Sequence, residues 1–436
     1  GTQRLPRLIG IRNALPLLLE GTHLSPEKAL KQGLIHAIVS ADELMAAAKK
    51  WIVDGGDAVQ PWDQKGFKVP GGGPQSPQGY EAFTAGGAML RKKTWGNYPA
   101  PVAIMSCVYE GLNCAFDAGL SLESRHFASL AADNVAHNMV RTLFFSMGDA
   151  NKLKNRPKDV EKSEFKKIGI LGAGMMGAGI ANVTAMAGLQ VVLLDSTLES
   201  AEKGKSYSED LLNKAIKRKR MTEEKRDGIL GLIKPTVDYA DLDGCDMVIE
   251  AVFEDRTIKA DVTAKTEAVI AADAIFASNT STLPITGLAE ASARPANFIG
   301  LHFFSPVDKM PLVEIIMGEK TGDVALARAM DFVKRIRKTP VVVNDSRGFY
   351  TSRVFATYVA EGLALLGEGV KPALIENAGR MAGMPVGPLA LADEVSLTLM
   401  QHVATQTKAD LGDKYLGTPA DPVVQKMVDE LGRDGK

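Results

Sequence analysis

The 436-residue chain is poor in the features that mark disulfide-rich, zinc-binding, nucleic-acid-binding and membrane proteins. Its three cysteines form no CxxC pair and no cluster with histidine, which argues against a disulfide framework or a metal site and fits a reducing compartment. Lys and Arg number 51 against 52 Asp and Glu, so no overall charge favours nucleic acid or an anionic membrane. No apolar run approaches the roughly 18 residues of a spanning helix, and no signal segment opens the chain. These absences predict a soluble intracellular protein.

The length and the changes in pattern predict three domains, since roughly 150 residues per domain is typical. Residues 1–163 have mostly helical spacing, interrupted at 61–99 by a Gly- and Pro-rich stretch that predicts an irregular connector. Residues 164–344 alternate strands with helices, and residues 345–436 return to helical spacing. The chain begins at Gly1 rather than Met, within what reads as a motif, which predicts a fragment or a processed product.

A βαβ unit with a glycine-rich turn opens the alternating region. KKIGIL predicts a strand, GAGMMGAGIANVTAMAG a turn and helix, and LQVVLLD a second strand. Gly172, Gly174 and Gly177 form GxGxxG: the first allows a tight turn, the second lets backbone approach a pyrophosphate, and the third lets helix pack on strand. Asp195 ends the second strand, where a carboxylate accepts from a ribose 2′-hydroxyl and repels a 2′-phosphate. The pattern predicts NAD rather than NADP.

Ligands of open α/β sheets bind outside the carboxyl ends of the strands, and this rule selects three further segments. They are Val252 to Glu254, the loop SNTST, and the end of the strand that contains His302. Ser281 in the loop could bond a substrate or a nicotinamide amide, or it could cap a turn before Leu283. Spacing alone leaves both roles of Ser281 open.

His302 and Glu314 lie in neighbouring apolar runs joined by the turn-rich segment SPVDKMP. Adjacent antiparallel strands would place the two side chains together, and a buried carboxylate needs such a partner. The pair could oxidise an alcohol: the histidine takes the hydroxyl proton while hydride leaves the carbon, and the glutamate fixes the tautomer. A purely structural His–Glu pair remains the alternative, because plain cores also contain such pairs.

Residues 165–400 resemble the L-3-hydroxyacyl-CoA dehydrogenase family. The matching pieces are ILGAGMMGAGIA, VVLLD, VIEAVFED, FASNTSTLPIT, GLHFFSPVDKMPLVEII, RGFYTSRV and GMPVGPLALAD. Residues 1 to about 150 resemble the last part of a crotonase-fold enoyl-CoA hydratase, through GTQRLPRLIG and LSPEKALKQGLIHAIV. That order resembles multifunctional fatty-acid oxidation proteins of the α-subunit type. The resemblance implies an α/β chain in which the helical end of a crotonase fold precedes a Rossmann-type NAD-binding domain and an all-helical domain.

The resemblance also implies a role for each matching position. His302 would be the catalytic base and Glu314 its partner. Met176 in the glycine loop would contact the pyrophosphate region of the cofactor, and Asp195 would bind its adenosine ribose. The residues on the nicotinamide side would be Val252, Phe253, Glu254, Lys259 and Ser281. Ser281 could instead bind the substrate carbonyl.

Two substrate positions depart from the usual family pattern, which has Asn where this chain has Ser305 and Ser352. A hydroxyl can still donate to a thioester carbonyl, so activity is expected, while the two replacements leave the rate and the chain-length preference open. Arg218 lies in the basic run KRKR at a helix end, where a solvated face is the default. In the family this helix lies near CoA, so a bond from Arg218 to a CoA phosphate is the other possibility.

The implied reaction is the NAD-dependent oxidation of L-3-hydroxyacyl-CoA to 3-ketoacyl-CoA in fatty acid β-oxidation. We expect no enoyl-CoA hydratase activity, because the hydratase's acid/base glutamates would precede GTQRLPR. A thiolase β-subunit is the implied partner of the full-length type, a homodimer is a further hypothesis, and the expected compartment is the bacterial cytoplasm or, in a eukaryote, the mitochondrial matrix. Two rival functions are a non-catalytic NAD-binding module and a 6-phosphogluconate-type β-hydroxyacid dehydrogenase, which would rely on a lysine base.

Overall fold

A computed structural model describes residues 1–434, which form two compact units. One unit comprises Gly1–Thr142 and Val370–Ala390. The other comprises Leu143–Gly369 and the chain from Leu391 onward, and it contains all the strands that the structure describes. The predicted domain boundaries after residues 163 and 344 stay predictions. The two compact units divide the chain at other positions, and Val370–Ala390 belongs to the first unit.

Helices alone precede the sheet, strands and helices alternate in the middle of the chain, and helices follow. Before the sheet the helices are α1 (Arg4–Ile9), α2 (Ile11–Glu20), α3 (Pro26–Lys31), α4 (Leu44–Val53), α5 (Pro77–Thr94), α6 (Pro99–Gly111), α7 (Phe116–Ala131), α8 (Asn134–Met139) and α9 (Met147–Asn151). The α/β region contains β1 (Lys167–Leu171), α10 (Met175–Met186), β2 (Gln190–Leu194), α11 (Leu198–Lys217), α12 (Glu223–Gly231), β3 (Ile233–Thr236), β4 (Met247–Glu250), α13 (Arg256–Glu267), β5 (Ile275–Ser278), α14 (Ile285–Leu288), β6 (Phe298–Phe303), β7 (Leu312–Met317), α15 (Asp323–Arg335) and β8 (Thr339–Asn344). The remaining helices are α16 (Thr351–Gly367), α17 (Pro372–Met381), α18 (Pro388–Val395), α19 (Leu397–Leu411) and α20 (Asp421–Gln425).

The sheet has the strand order β3-β2-β1-β4-β5-β6-β7-β8. Neighbouring strands are parallel except β6 and β7, which run antiparallel. The order reverses from β1 to β4, as in doubly wound nucleotide-binding sheets, so a crevice opens at the carboxyl ends of these two strands. The predicted βαβ unit and Rossmann-type fold are confirmed. The strand β3 has no counterpart in the sequence-based prediction, because IKPT is short and contains a proline at the sheet edge.

Helices cover both faces of the sheet. On one face α10, α11, α12 and α15 pack against residues such as Ile168, Ile170, Leu193, Ile249, Ile299 and Ile315. On the other face α13 and α14 pack against Leu171, Val192, Val248, Phe276, Phe298 and Ile316. Each strand therefore sends alternate side chains to two apolar layers, which explains why the strands read as nearly continuous apolar runs.

The prediction of an irregular stretch over 61–99 is wrong in its second half, which contains the 18-residue helix α5. Ser76 caps this helix, its Oγ accepting from the backbone N–H of Gly79 at 3.1 Å, and Pro77 occupies the first turn, where proline is tolerated. Phe83 and Leu90 then pack against a small core formed by α2 and α6. The Gly and Pro density that suggested a connector belongs to the turns before the helix.

The helical character predicted after residue 344 is confirmed for the residues that the structure describes there. The helix α16 begins at Thr351, directly after the turn that follows β8, and its beginning bears on the site described below. Across residues 1–434, no helix combines the length and the apolar composition that crossing a membrane requires.

Candidate active site

The glycine loop between β1 and α10 has the geometry that the GxGxxG pattern predicts. Gly172 has φ +89°, and a Cβ there would lie 2.6 Å from the carbonyl oxygen of Ala251. A Cβ on Gly177 would lie 1.8 Å from the carbonyl oxygen of Gly172, so the helix packs directly on the loop. A Cβ on Gly174 would meet no atom within 4 Å. Two glycines therefore serve packing, while Gly174 lines open space at the beginning of α10.

The beginning of α10 fits a dinucleotide phosphate. None of the described residues accepts a hydrogen bond from the backbone N–H groups of Met175, Met176 or Gly177, and no side chain caps the helix. Unpaired N–H groups and the helix dipole together favour an anion at this position. The half-buried Met176 lies in this first turn, as its predicted contact with the pyrophosphate region requires.

Asp195 lies directly after β2, beside the glycine loop. Its Oδ2 accepts from the backbone N–H of Ala173 at 2.6 Å, and its Oδ1 accepts from the N–H of Ser196 at 2.6 Å. These bonds hold the carboxylate at the carboxyl edge of the sheet while leaving further acceptor capacity on both oxygens. The arrangement fits a carboxylate that accepts from a ribose hydroxyl.

The pairing of β6 with β7 sets His302 directly opposite Glu314, as the sequence predicts. The distance from His302 Nδ1 to Glu314 Oε2 is 2.7 Å. The glutamate side chain is fully buried and that of the histidine is 8 % exposed. Both side chains point to the sheet face covered by α13 and α14, where they replace the apolar residues of the alternating pattern.

Glu314 is held as a carboxylate by donors from the beginning of α16. Its Oε1 accepts from the backbone N–H groups of Tyr350 and Thr351, at 3.2 and 2.9 Å, and its Oε2 accepts from the Thr351 hydroxyl at 2.8 Å. Burial acts to raise the Glu314 pKa, but the hydrogen bonds from His302 and Thr351 outweigh burial, and the pKa lies below its ordinary value. An ionised Glu314 accepts only, so His302 Nδ1 is the donor in their bond and Nε2 carries the free lone pair.

His302 Nε2 is the ring nitrogen that faces away from Glu314. No hydrogen bond to it comes from the part of the chain that the structure describes, so the lone pair can take a proton from a substrate. The rings of Phe304 and Phe349 lie 4.3 and 5.9 Å from the imidazole, measured between centroids. These two rings place apolar surface beside the imidazole.

The loop after β5 is organised by Glu254 and linked to the histidine strand by Asn279. Glu254 Oε1 accepts from the Thr280 hydroxyl at 2.5 Å and from the backbone N–H of Ser281 at 3.0 Å. Asn279 Oδ1 accepts from the N–H of Phe303 at 3.0 Å, one residue after His302. The exposed Ser281 is thus fixed through its backbone, and its hydroxyl is bonded to no other described residue.

Lys259 lies behind this loop as part of a buried ionic cluster. Its side chain is 2 % exposed, and its Nζ lies 2.8 and 3.0 Å from the two carboxylate oxygens of Glu250 and 3.4 Å from Glu254 Oε2. Burial raises the Glu250 pKa, although the bonds from Lys259, Ser278 and the backbone lower it. The ammonium of Lys259 therefore supports the loop, and its neighbouring carbonyl acceptor is that of Asn279 at 3.4 Å.

The other predicted cofactor residues follow β4. Val252 is half-buried, and its backbone N–H donates to Glu250 at 2.8 Å. Phe253 is 82 % exposed at the same edge of the sheet. The Val252 backbone is therefore held by Glu250, while the exposed Phe253 ring is available to cover a ligand.

The predicted substrate residues divide into two groups. Ser305 is exposed, and its hydroxyl lies 3.5 Å from the sulfur of Met175, so the end of the histidine strand adjoins the glycine loop. Ser352 follows Thr351 in the first turn of α16, next to the donors to Glu314. Arg218 lies at the C-terminal end of α11, exposed and without a side-chain hydrogen bond to any described residue. The two serines each follow a residue that contacts the pair, Phe304 and Thr351, whereas Arg218 has no contact with it among the described residues.

Four residues of the site were not predicted: Glu250, Asn279, Thr280 and Thr351. Glu250 had a usable signal, since an acid within the apolar strand VIEAV needs a partner just as Glu314 does. Asn279 and Thr280 stand inside the loop that the strand-end rule selected. Thr351 had no signal, because its contact depends on the tertiary position of α16.

Comparison with known families matches two segments of the chain. The family described as "3-hydroxyacyl-CoA dehydrogenase, NAD binding domain" matches residues 167–346. The one described as "3-hydroxyacyl-CoA dehydrogenase, C-terminal domain" matches residues 348–436. The first segment contains the glycine loop, the ionic cluster and the His–Glu pair, and the second contains Thr351 and Ser352.

Relatives and solved structures agree with these matches. A "Fatty acid oxidation complex subunit alpha" of Shewanella halifaxensis is 38 % identical over 416 residues, which are 95 % of this chain and 58 % of the relative. The chain thus spans less than two thirds of that relative's length. The (S)-3-hydroxybutyryl-CoA dehydrogenase of Ralstonia eutropha is 35 % identical with a TM-score of 0.59, covering 63 % of this chain and 96 % of that enzyme. A 3-hydroxybutyryl-CoA dehydrogenase of Escherichia coli is 31 % identical with a TM-score of 0.59, covering 63 % of this chain and 58 % of that one.

Proposed function

We propose that this chain, which belongs to the 3-hydroxyacyl-CoA dehydrogenase family, oxidises L-3-hydroxyacyl-CoA to 3-ketoacyl-CoA with His302 as the base and Glu314 as its partner. The family carries an NAD-binding domain, and the open glycine loop fits that cofactor. The observation that carries the catalytic assignment is the 2.7 Å bond between His302 Nδ1 and Glu314 Oε2, which leaves Nε2 free beside the carboxyl edge of the sheet.

The pair accounts for the proton in this oxidation. NAD, when bound, supplies the acceptor for the hydride that leaves C3 of the substrate. His302 Nε2 takes the proton of the 3-hydroxyl, so the C3–O bond becomes a carbonyl as both hydrogens leave. Glu314 stabilises the resulting imidazolium and keeps Nδ1 protonated throughout.

On the cofactor side, we assign direct and indirect roles. Gly172, Gly174, Met176, Gly177 and Asp195 would hold the adenosine and pyrophosphate half. Val252, Phe253 and Ser281 would face the nicotinamide half. Glu254 and Lys259 would act mainly by holding the loop of Ser281, since their charged groups already bond that loop and Glu250.

On the substrate side, Ser305 and Ser352 would donate to the thioester or 3-hydroxyl oxygen, and Ser281 would share that task. Their positions near Met175 and Thr351 support the assignment. A bond from Arg218 to a CoA phosphate stays a proposal supported only by its exposure and positive charge.

The test is an assay of NADH formation with L-3-hydroxyacyl-CoA substrates of several chain lengths and the D isomers as a control. We expect activity with L isomers only. The variant His302→Gln should lower kcat by at least about a hundred-fold, the usual contribution of a general base. His402→Gln, which changes an exposed histidine on α19, is the matched control and should keep wild-type activity.

Two results would contradict the proposal. No NADH from any L isomer would remove the assigned reaction. Full NADH formation by a folded His302→Gln variant would leave the reaction in place but make the His–Glu pair structural.

We extend the proposal to partners and compartment. The relatives named as a complex subunit alpha support association with a second subunit, for which a thiolase is our candidate. Exposed leucines on the C-terminal segment, Leu399, Leu411 and Leu416, support a homodimer that light scattering would detect. The bacterial relatives and three free cysteines support the bacterial cytoplasm.

A further inference from the structure

Glu314 has four donors for its four acceptor positions. Oε1 accepts hydrogen bonds from the backbone N–H groups of Tyr350 and Thr351. Oε2 accepts from His302 Nδ1 at 2.7 Å and from the Thr351 hydroxyl at 2.8 Å. A carboxylate offers about four lone-pair sites, so this one is saturated. Neither water nor substrate can bond it without displacing one of these groups.

The Thr351 hydroxyl differs from the two backbone donors in two respects. It comes from a side chain, so a substitution can remove it without altering the backbone. It also shares Oε2 with the histidine, whereas the backbone donors hold Oε1. Its removal would therefore change the oxygen that the base itself contacts, while α16 keeps its place at Glu314 through two N–H groups.

Sharing one oxygen has a definite effect on the base. Each hydrogen bond to Oε2 spreads part of the carboxylate charge onto the donor, which leaves less charge to stabilise a proton on the imidazole. With Thr351 present, the imidazolium is therefore less favoured than beside a Glu314 that has an unshared Oε2. The base then stays unprotonated, and so active, to lower pH.

Several charged groups on the elements that flank the histidine strand bond partners other than His302. Lys259, Glu250 and Glu254 bond one another beyond Asn279 on the β5 side. Lys338, which directly precedes β8, donates from Nζ to the carbonyls of Val307 and Met310 in the loop between β6 and β7, both at 2.6 Å. Asp308 accepts from Tyr207, and Asp345 after β8 accepts from the N–H groups of Ile285 and Thr286. Glu314 is the ionisable side chain in direct contact with His302 among the described residues.

We propose that Thr351 is a positioning residue of the active site, whose hydroxyl fixes Glu314 and sets the pH range in which His302 acts as the base. The inference rests on the catalytic role proposed for His302. It assigns to Thr351 a function separate from substrate binding, because the Thr351 hydroxyl already donates to Glu314 Oε2.

The variants Thr351→Val and Thr351→Ser separate the hydroxyl from the shape of the side chain. Valine removes the hydroxyl and keeps the branching, while serine keeps the hydroxyl. Thr357→Val is the matched control, since Thr357 is exposed on the same helix and donates to the carbonyl of Val354. The pH profile of kcat/KM is measured for all four proteins, with circular dichroism as a check that each is folded.

We expect the acidic limb of the Thr351→Val profile to move to higher pH by about 0.5 unit, equivalent to an about three-fold lower kcat/KM well below the limb. Thr351→Ser should restore the wild-type limb, and Thr357→Val should not move it. An unmoved limb in a folded Thr351→Val protein would overturn the proposal, as would a uniform loss of kcat/KM at every pH. A moved limb that serine fails to restore would also overturn it.

A second readout keeps this inference separable from the catalytic one. The chain has six histidines, so NMR of protein carrying labelled histidine can follow each ring, with the His302 signal assigned through its loss in His302→Gln. The titration midpoint of that signal should rise in Thr351→Val whether or not the protein oxidises any hydroxyacyl-CoA. A shift without activity would refute the proposed function alone, while activity without a shift would refute the role of Thr351 alone.

Discussion

Replacing Lys259 with methionine should destabilise the compact unit that contains the sheet, the NAD-binding unit, in a pH-dependent way. The side chains of Lys259 and Glu250 are 2 % and 1 % exposed, and the ammonium contacts both carboxylate oxygens. Removing one partner of a buried ion pair costs about 3–5 kcal/mol, because the remaining charge is left uncompensated. Glu250 would keep its bonds from the Ser278 hydroxyl at 2.7 Å and the Val252 N–H at 2.8 Å, so we expect the lower end, about 3 kcal/mol at pH 8.

The sign of the pH dependence follows from the Glu250 pKa. Burial already raises this pKa in the wild-type protein despite Lys259, and removing the lysine raises it further. The folded variant therefore binds the Glu250 proton more tightly than the unfolded chain does. Its stability falls as the pH rises from the unfolded pKa through the folded pKa, and the deficit relative to wild type shrinks at mildly acidic pH, where Glu250 becomes neutral.

Urea unfolding followed by circular dichroism at pH 8 and pH 5.5 measures this deficit. The transition of the NAD-binding unit is the one that added NAD shifts to higher urea. The double variant Glu250→Gln with Lys259→Met should recover most of the loss at pH 8, because it leaves no buried charge in that pair. Equal losses at both pH values, or a stable single variant at pH 8, would refute the reasoning.

Two further predictions concern the cofactor side. Gly174→Ala should fold normally, since its Cβ meets no atom within 4 Å, but the added methyl group should fill the space for the phosphate and raise KM for NAD about ten-fold. Its counterpart Gly177→Ala should fail to fold stably, because its Cβ would lie 1.8 Å from the Gly172 oxygen. An unchanged KM in Gly174→Ala would show that the dinucleotide does not approach this turn. Asp195→Asn keeps an acceptor for the Ala173 N–H but removes the charge, so the ratio of kcat/KM for NAD over NADP should fall about ten-fold in the same NADH assay run with both cofactors. An unaltered ratio would exclude Asp195 from the ribose site.

The strands that carry the site could be predicted because their side chains alternate between two apolar layers. His302 and Glu314 are polar residues within one apolar layer, and the turn-rich segment between their strands predicted an antiparallel pair in which they face each other. The same reasoning could have found Glu250 on β4. Its partner Lys259 lies nine residues later on a helix, where a single lysine has no distinguishing pattern.

Other features depend on contacts that the sequence does not encode locally. The helix α5 was missed because the prolines and glycines before it dominate the composition, although Pro77 stands where a helix accepts it. Thr351 begins a helix with no apolar or charged signature at that position. Its contact with Glu314 exists only because the chain after β8 returns α16 to the edge of the sheet.

The reversal of one strand explains why this edge can hold a catalytic pair. In the parallel part of the sheet only the carboxyl ends of strands reach the crevice, so a side chain near the beginning of a strand lies at the opposite edge. Since β7 runs antiparallel to β6, Glu314 near its beginning lies beside His302 near the end of β6. The next strand, β8, runs parallel to β7, and the segment after it brings the N–H groups at the beginning of α16 to the same carboxylate. A shift of the β6–β7 register by one residue would send Glu314 to the other face, so the hairpin pairing, rather than either residue alone, determines whether the base is assembled.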